Sequence, residues 1–249
     1  MKKSIRILPG TDKCGHRENY EYIDLKMGEL YTIVGNTGSG KSRLIKDLEQ
    51  LVNKDSVSGR TILIDGKIPT LESRLSISRR LIAHLGQNMR FVLDKTVSEF
   101  LLLHGNCRGI EDPDIGAIID TANEITPEHI RGDMNLNTLS GGQSRALMIA
   151  DIACICNSPV VLIDEIENAG IDKIKALRLL LDSNKLVLIV THDIHTSLMS
   201  KKRIIMENGA VSAVIDRSPE EAALYERLDS EYSERFRLQT LLRQGEYLI

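Results

Sequence analysis

Residues 35–42 read Gly35-Asn36-Thr37-Gly38-Ser39-Gly40-Lys41-Ser42, directly behind the apolar run Leu30-Tyr31-Thr32-Ile33-Val34. The eight positions fit G-x-x-x-x-G-K-[ST] without a mismatch. The glycines let the backbone curl so that successive amide N–H groups point inward at a polyphosphate. Lys41 then reaches the terminal phosphates, and the Ser42 hydroxyl is placed to ligate Mg²⁺. The preceding run predicts a buried strand, and Leu44, Ile45, Leu48, Leu51 and Val52 recur behind the loop at helical spacing. A strand, a glycine loop and a helix N-terminus together make an anion site. The loop is expected to bind a nucleoside triphosphate.

The surrounding chain bounds what such a site can serve. With 249 residues and 42% hydrophobic content, it has the length and core for one large α/β domain carrying an insertion. Its net charge of −3 gives no direct nucleic-acid signal. No apolar run approaches the ~20 residues a membrane span needs. The N-terminus lacks the apolar segment of a signal peptide, so the expected location is cytoplasmic, including the inner face of the cell membrane. Cys14, Cys107, Cys154 and Cys156 contain no C-x-x-C pair and read as buried thiols rather than a metal site.

Strands are expected over residues 3–8, 20–25, 29–34, 61–66, 80–86, 160–164 and 186–190, with helices near 142–156 and 172–182. Between about 96 and 138 the pattern is helical, with Thr96 and Asp112 as N-caps and Pro113 at a first helical position. Asn208-Gly209 between two β-like runs predicts a hairpin. Ser218-Pro219-Glu220-Glu221 forms a capping box, followed by Leu224, Leu228, Tyr232 and Phe236 at four-residue spacing. A long terminal helix follows. Residues 1–217 read as the α/β unit and 218–249 as a helical extension.

Two further motifs carry chemistry. In Val160-Val161-Leu162-Ile163-Asp164-Glu165, four apolar residues put a strand in the core. Asp164 emerges at its carboxyl end, where open α/β sheets bind ligands, and is placed to hold Mg²⁺ opposite Ser42. Glu165 follows as a general base for the attacking water. The third motif is Leu139-Ser140-Gly141-Gly142-Gln143, a second helix N-terminus suited to an anion.

This LSGGQ stretch resembles the signature of the ATP-binding cassette (ABC) ATPases, and the order of motifs matches as well. The glycine loop, Gln87, a helical insertion, LSGGQ, VVLIDE and His192 in Thr191-His192-Asp193 follow one another over roughly residues 1 to 215. The resemblance implies a P-loop NTPase of ABC type, with a mainly parallel sheet, an antiparallel β subdomain and an inserted helical subdomain at about 96–138. It implies ATP hydrolysis with Mg²⁺ in a head-to-tail sandwich of two protomers, where Ser140, Gly141, Gly142 and Gln143 of one chain close on the ATP of the other. Gln87 would touch Mg²⁺ and the attacking water and couple the core to the insertion; His192 would contact the γ-phosphate. Without the resemblance, Gln87 reads as a polar strand terminus.

Three features depart from the family pattern. The loop after Glu165, Ile166-Glu167-Asn168-Ala169-Gly170-Ile171-Asp172, is one residue longer, with Asp172 in the closing position. Asp151 stands where an arginine is common. The adenine-stacking aromatic is left among His16, Tyr20 and Tyr22, with His16 preferred. The leading expectation is the ATP-binding subunit of a membrane transporter, served by separate membrane-spanning chains. The alternative is a soluble ABC ATPase that remodels, assembles or activates a protein or nucleic-acid partner.

Overall fold

The computed structural model describes residues 4–75, 81–87, 89–168 and 170–248. In chain order the strands are β1 Ser4–Leu8, β2 Ile23–Lys26, β3 Leu30–Val34, β4 Thr61–Ile64, β5 Ile82–Leu85, β6 Val160–Asp164, β7 Leu186–Val190, β8 Lys202–Glu207 and β9 Ala210–Asp216. The α-helices are α1 Lys41–Gln50, α2 Leu71–Leu75, α3 Val97–Cys107, α4 Ile115–Ile125, α5 Gly141–Cys154, α6 Lys173–Asp182, α7 Ile194–Met199 and α8 Pro219–Arg243. A three-stranded antiparallel sheet has the order β2-β1-β4. The main sheet has the order β5-β6-β7-β3-β8-β9, parallel throughout except for β9.

The apolar runs of β6 and β7 are continuous because both faces of the main sheet are covered. Val161, Ile163, Val187 and Ile189 pack with α3, α4, α5 and α6. Their alternate neighbours Val160, Leu162, Leu186 and Leu188 pack with α1 and the antiparallel sheet. Parallel strands end on one side of a sheet. The residues after β3, β5, β6 and β7 therefore converge along one edge, and those residues are the phosphate loop, Gln87, Glu165 and His192.

Several expected boundaries shift for local reasons. The strand expected over 20–25 begins at Ile23, where pairing with Ile7 starts; Tyr20 instead gives its hydroxyl to Glu18 at 2.9 Å. Asp112 is not the cap of α4. Asp114 is, accepting the Ala117 N–H at 3.0 Å. Pro113 packs against Gly105, so closely that a Cβ there would sit 2.8 Å from the proline ring. Helix α5 stops at Cys154 because the Ile155 and Cys156 N–H groups both turn back to the Asp151 carbonyl. Three of the four thiols are exposed: Cys14, Cys107 and Cys154 lie in a loop or at helix ends, and Cys156 alone is buried. Lys3, Arg80, Asn88 and Ala169, which fall in expected strands and motif loops, lie outside the described residues.

The expected caps at Thr96 and Ser218 form as reciprocal capping boxes with Glu99 and Glu221. Asn208 and Gly209 take φ values of 48° and 87° and turn the β8–β9 hairpin. That hairpin is fixed from below by Arg60. Its guanidinium is fully buried and bonds Glu18 at 2.5 Å, Asp47 at 3.0 Å and the Gly209 carbonyl at 2.9 Å. Glu18 also accepts from the Gly10 and Val211 N–H groups. Burial opposes the Glu18 charge, but Arg60 outweighs it and holds the carboxyl below its ordinary value.

Candidate functional site

A cavity of about 380 Å³ opens at the carboxyl edge of the main sheet. It is lined by Thr37, Gly38, Gly40, Lys41 and Ser42 on one wall and by Gln87, Asp164, Glu165 and His192 on the other. Gly40 has a φ of 105°, and a Cβ there would lie 2.7 Å from Gly209 Cα. Only glycine lets the loop pass the β8–β9 hairpin at that distance. The Gly209 N–H holds the contact by donating to the Ser39 carbonyl at 2.8 Å.

The donor set fits a polyphosphate. Gly40 provides no side-chain cap for α1, so the first turn of that helix keeps its positive end open. Ser39 Oγ is buried without a hydrogen-bond partner. Lys41 Nζ lies back along the loop, donating to the Gly35 and Asn36 carbonyls at 2.7 and 3.0 Å. Burial pulls the Lys41 ammonium down from its ordinary pKa, against the pull of Asp164 and Glu165. A phosphate in the cavity would offset that cost. Ser42 is exposed and Asp164 half-buried on facing walls, two oxygen donors of the kind Mg²⁺ takes.

Glu165 sits just past β6 with a φ of 51°, a left-handed conformation that is strained for a residue with a side chain. Its N–H bonds the Val190 carbonyl at 3.0 Å, tying the turn to the end of β7. Gln87 Nε2 donates to Glu165 Oε2 at 2.5 Å. Glutamine and carboxylate, 78 positions apart, are thus brought together on one wall of the cavity. His192 is exposed on the same cavity, and its loop is pinned by Glu167, which accepts from the Thr191 hydroxyl at 2.9 Å and the His192 N–H at 3.4 Å.

Ser140, Gly141 and Gly142 line a neighbouring cleft of about 370 Å³, which also touches Gln87 and Glu165. Ser140 caps α5, and the Gln143 side chain points inward to the Ser140 N–H and the His129 carbonyl. Gln143 therefore shapes this helix end, with its side-chain polar atoms already engaged. His16 is exposed, at 81% for its side chain, and Tyr22 is exposed as well. Tyr20 is held by Glu18, and Tyr22 lies under the Arg6 guanidinium. The His16 loop abuts the phosphate loop through Lys13, whose ammonium donates to the Gly38 carbonyl at 2.7 Å.

Sequence reasoning missed Arg145 and Glu167. Arg145 is buried and donates to the Gly86 carbonyl at 2.6 Å and the Asp164 carbonyl at 2.9 Å. It joins the LSGGQ helix to the ends of β5 and β6. Burial lowers its pKa, with Asp164 and Glu167 opposing. An arginine two residues past LSGGQ, followed by the apolar run Ala146-Leu147-Met148-Ile149-Ala150, was the available signal. Asp151 finds His104 of α3 at 2.6 Å, joining the same helix to the inserted segment.

A family model described as ABC transporter matches residues 22–168. An uncharacterized ABC transporter ATP-binding protein of Methanocaldococcus jannaschii is 46% identical over 247 residues, which is 99% of this chain and 95% of that protein. The methionine import ATP-binding protein MetN 3 of Shouchella clausii is 28% identical over 214 residues, and the match spans 61% of that protein's length. Among solved structures, cbiO1 of Clostridium perfringens, part of the ABC transporter complex cbiONQ, aligns with a TM-score of 0.63 at 21% identity over 96% of this chain and 98% of that one. At that identity the likeness shows the fold.

Proposed function

Because the chain belongs to the ABC transporter family of ATP-binding proteins, we propose that it binds and hydrolyses MgATP in a head-to-tail sandwich dimer and drives a transporter with separate membrane-spanning subunits. The observation that carries the hydrolytic reading is the Gln87–Glu165 contact facing Lys41 and Ser42 across one cavity. Glu165 takes the proton of the attacking water as general base, and Gln87 fixes the carboxylate that accepts it. Lys41 and the open amides of the loop hold the terminal phosphates. Ser42, Asp164 and Gln87 would hold Mg²⁺, which when bound neutralises phosphate charge. His192 meets the γ-phosphate side, and His16 serves the adenine. Ser140 and the amides of Gly141 and Gly142 close on the nucleotide of the partner protomer.

Among the described residues no helix is long and apolar enough to cross a membrane, and this reading places the membrane spans in other chains. Their landing surface on this protein follows Gln87. Met89, Val92, Leu93, Leu102 and Leu103 are exposed apolar side chains, Val92 at 92%, between the glutamine and the face of α3. An apolar patch next to a residue that senses nucleotide suits a partner subunit, which favours the transporter over a free-standing ATPase. Residues 1–217 form the ATPase unit in this reading, with 96–138 as its helical insertion and 218–249 as an extension.

Glu165→Gln tests it. The amide keeps the size and still accepts from Gln87, but it is no base. Nucleotide binding should persist while phosphate release falls by about 10²–10⁴-fold. Turnover within a few-fold of the parent would remove Glu165 from the proposed role. Co-purification with a soluble partner in place of membrane subunits would favour the remodelling alternative.

A further inference from the structure

The loop between Gly10 and Glu18 has three metal-ligating side chains on alternate residues, Asp12, Cys14 and His16. Their ligand atoms all lie within 4.8 Å of one another. Asp12 Oδ1 accepts the Cys14 and His16 N–H groups, each at 2.8 Å, while Oδ2 faces His16 Nδ1 at 3.2 Å. A residue distant in sequence supports the same cluster. Asn208 Nδ2, from the β8–β9 turn, donates to Asp12 Oδ2 at 3.3 Å and to Cys14 Sγ at 3.6 Å. A side-chain amide aimed at both a carboxylate and a sulfur does what outer partners do at metal centres, which is to orient the ligands.

We propose that Asp12 Oδ2, Cys14 Sγ and His16 Nδ1 bind one borderline-soft divalent cation of the Zn²⁺ class, with a fourth position open to water. Sulfur, imidazole and one carboxylate select such an ion over Mg²⁺ or Ca²⁺, which take oxygen sets. Tetrahedral bonds of ~2.0–2.3 Å place ligand atoms roughly 3.5 Å apart, so small rotations of exposed side chains close the set. On binding, Cys14 gives its thiol proton to solvent and His16 ligates as the neutral imidazole. Ligation at Nδ1 leaves the His16 ring face open.

The site touches the phosphate loop through the residue between its first two ligands. Lys13 donates from its ammonium to Gly38 and from its backbone N–H to the Asn208 carbonyl, at 2.7 and 3.0 Å. A bound cation therefore stiffens the loop that holds Gly38. This consequence does not depend on hydrolysis.

The test uses chelator-stripped full-length protein titrated with Co²⁺ alone. A thiolate-to-cobalt charge-transfer band should saturate at one equivalent. Cys14→Ser should abolish it, and His16→Ala and Asn208→Ala should each weaken binding by about 10-fold or more. Cys107→Ser and Cys154→Ser should retain it. These side chains, Asn208 included, are exposed, and thermal melts would check that each variant folds. A band that survives Cys14→Ser, or no band at micromolar Co²⁺, overturns the site. Amide hydrogen exchange at residues 35–40 should slow on Co²⁺ addition and stop responding in Lys13→Ala. Exchange that ignores a bound cation keeps the site and overturns its coupling to the phosphate loop.

Discussion

Arg60 shows how a single side chain places the phosphate loop without touching phosphate. It is fully buried, and its guanidinium neutralises Glu18 and Asp47 while gripping the Gly209 carbonyl. Gly209 in turn bonds Ser39 and leaves room only for glycine at position 40. Arg60→Met would keep much of the volume but strand two buried carboxylates. Breaking a buried pair in this way costs about 3–5 kcal/mol, read as a lower denaturant midpoint. A loss under 1 kcal/mol would show that water or neighbouring groups already screen the carboxylates. The strained turn at Glu165 is a second residue-scale feature. Its φ of 51° is over-determined by the Val190 bond and the Gln87 contact, which aims the carboxylate rather than letting it swing.

At the scale of elements, α8 is an extension that nonetheless reaches Lys173 and His195, beside the loops after β6 and β7. Leu224, Leu228, Tyr232 and Phe236 are each half-buried, and no α8 residue is fully buried. The helix docks on α6 and α7, which follow the loops carrying Asp172 and His192. Tyr232 accepts the Lys173 N–H at 3.3 Å and lies beneath the Lys173 ammonium. His195 is held between the rings of Tyr225 and Tyr232, with Asp229 at 3.2 Å. Packing on the parent chain is thus the observed use of this stripe. Truncation after Arg217 should leave nucleotide binding intact and lower Tm, at about 2–4 °C per kcal/mol lost. Loss of nucleotide binding in a folded truncation would place α8 in the site.

The same dock should respond to pH. Burial, then the Lys173 ammonium, pulls the His195 pKa below its ordinary value, against Asp229 and Asp193. A base with a depressed folded-state pKa gives stability that is complete above the unfolded pKa of ~6.5 and is lost as pH falls through the folded one. Stability should therefore decline on acidification below about pH 6.5. His195→Gln should flatten that decline, measured by Tm across the range. Asp193 contributes at lower pH only. Burial opposes its charge, but Lys173 and Thr196 win and set its carboxyl at about 2.

On the scale of the whole molecule, the two anion sites belong to different clefts. The phosphate loop lines one cleft and the Ser140 helix end lines the other. Two copies placed head to tail would let each Ser140 complete the other's site. Glu165→Gln protein with ATP and Mg²⁺ should run as a dimer by light scattering, and adding Ser140→Arg should return it to monomer. A monomer at high protein and nucleotide concentration would contradict the homodimer.

The phosphate loop, the VVLIDE strand and the LSGGQ helix start were legible in the sequence because each acts through contiguous backbone. A glycine pattern sets a local curl, an apolar run sets a buried strand, and Ser140 with Gln143 caps a helix within four residues. The parallel sheet then had to bring strand ends to one edge. What the sequence did not contain were the pairings across it. Gln87 meets Glu165 across 78 positions, Arg60 meets Glu18 across 42, and Asn208 reaches Asp12 across 196. Such contacts depend on strand order and register, which no local pattern encodes. The thiols went the same way. Local sequence made Cys14 a generic buried sulfur, and only its place on an exposed turn, backed by Asn208, made it a ligand candidate.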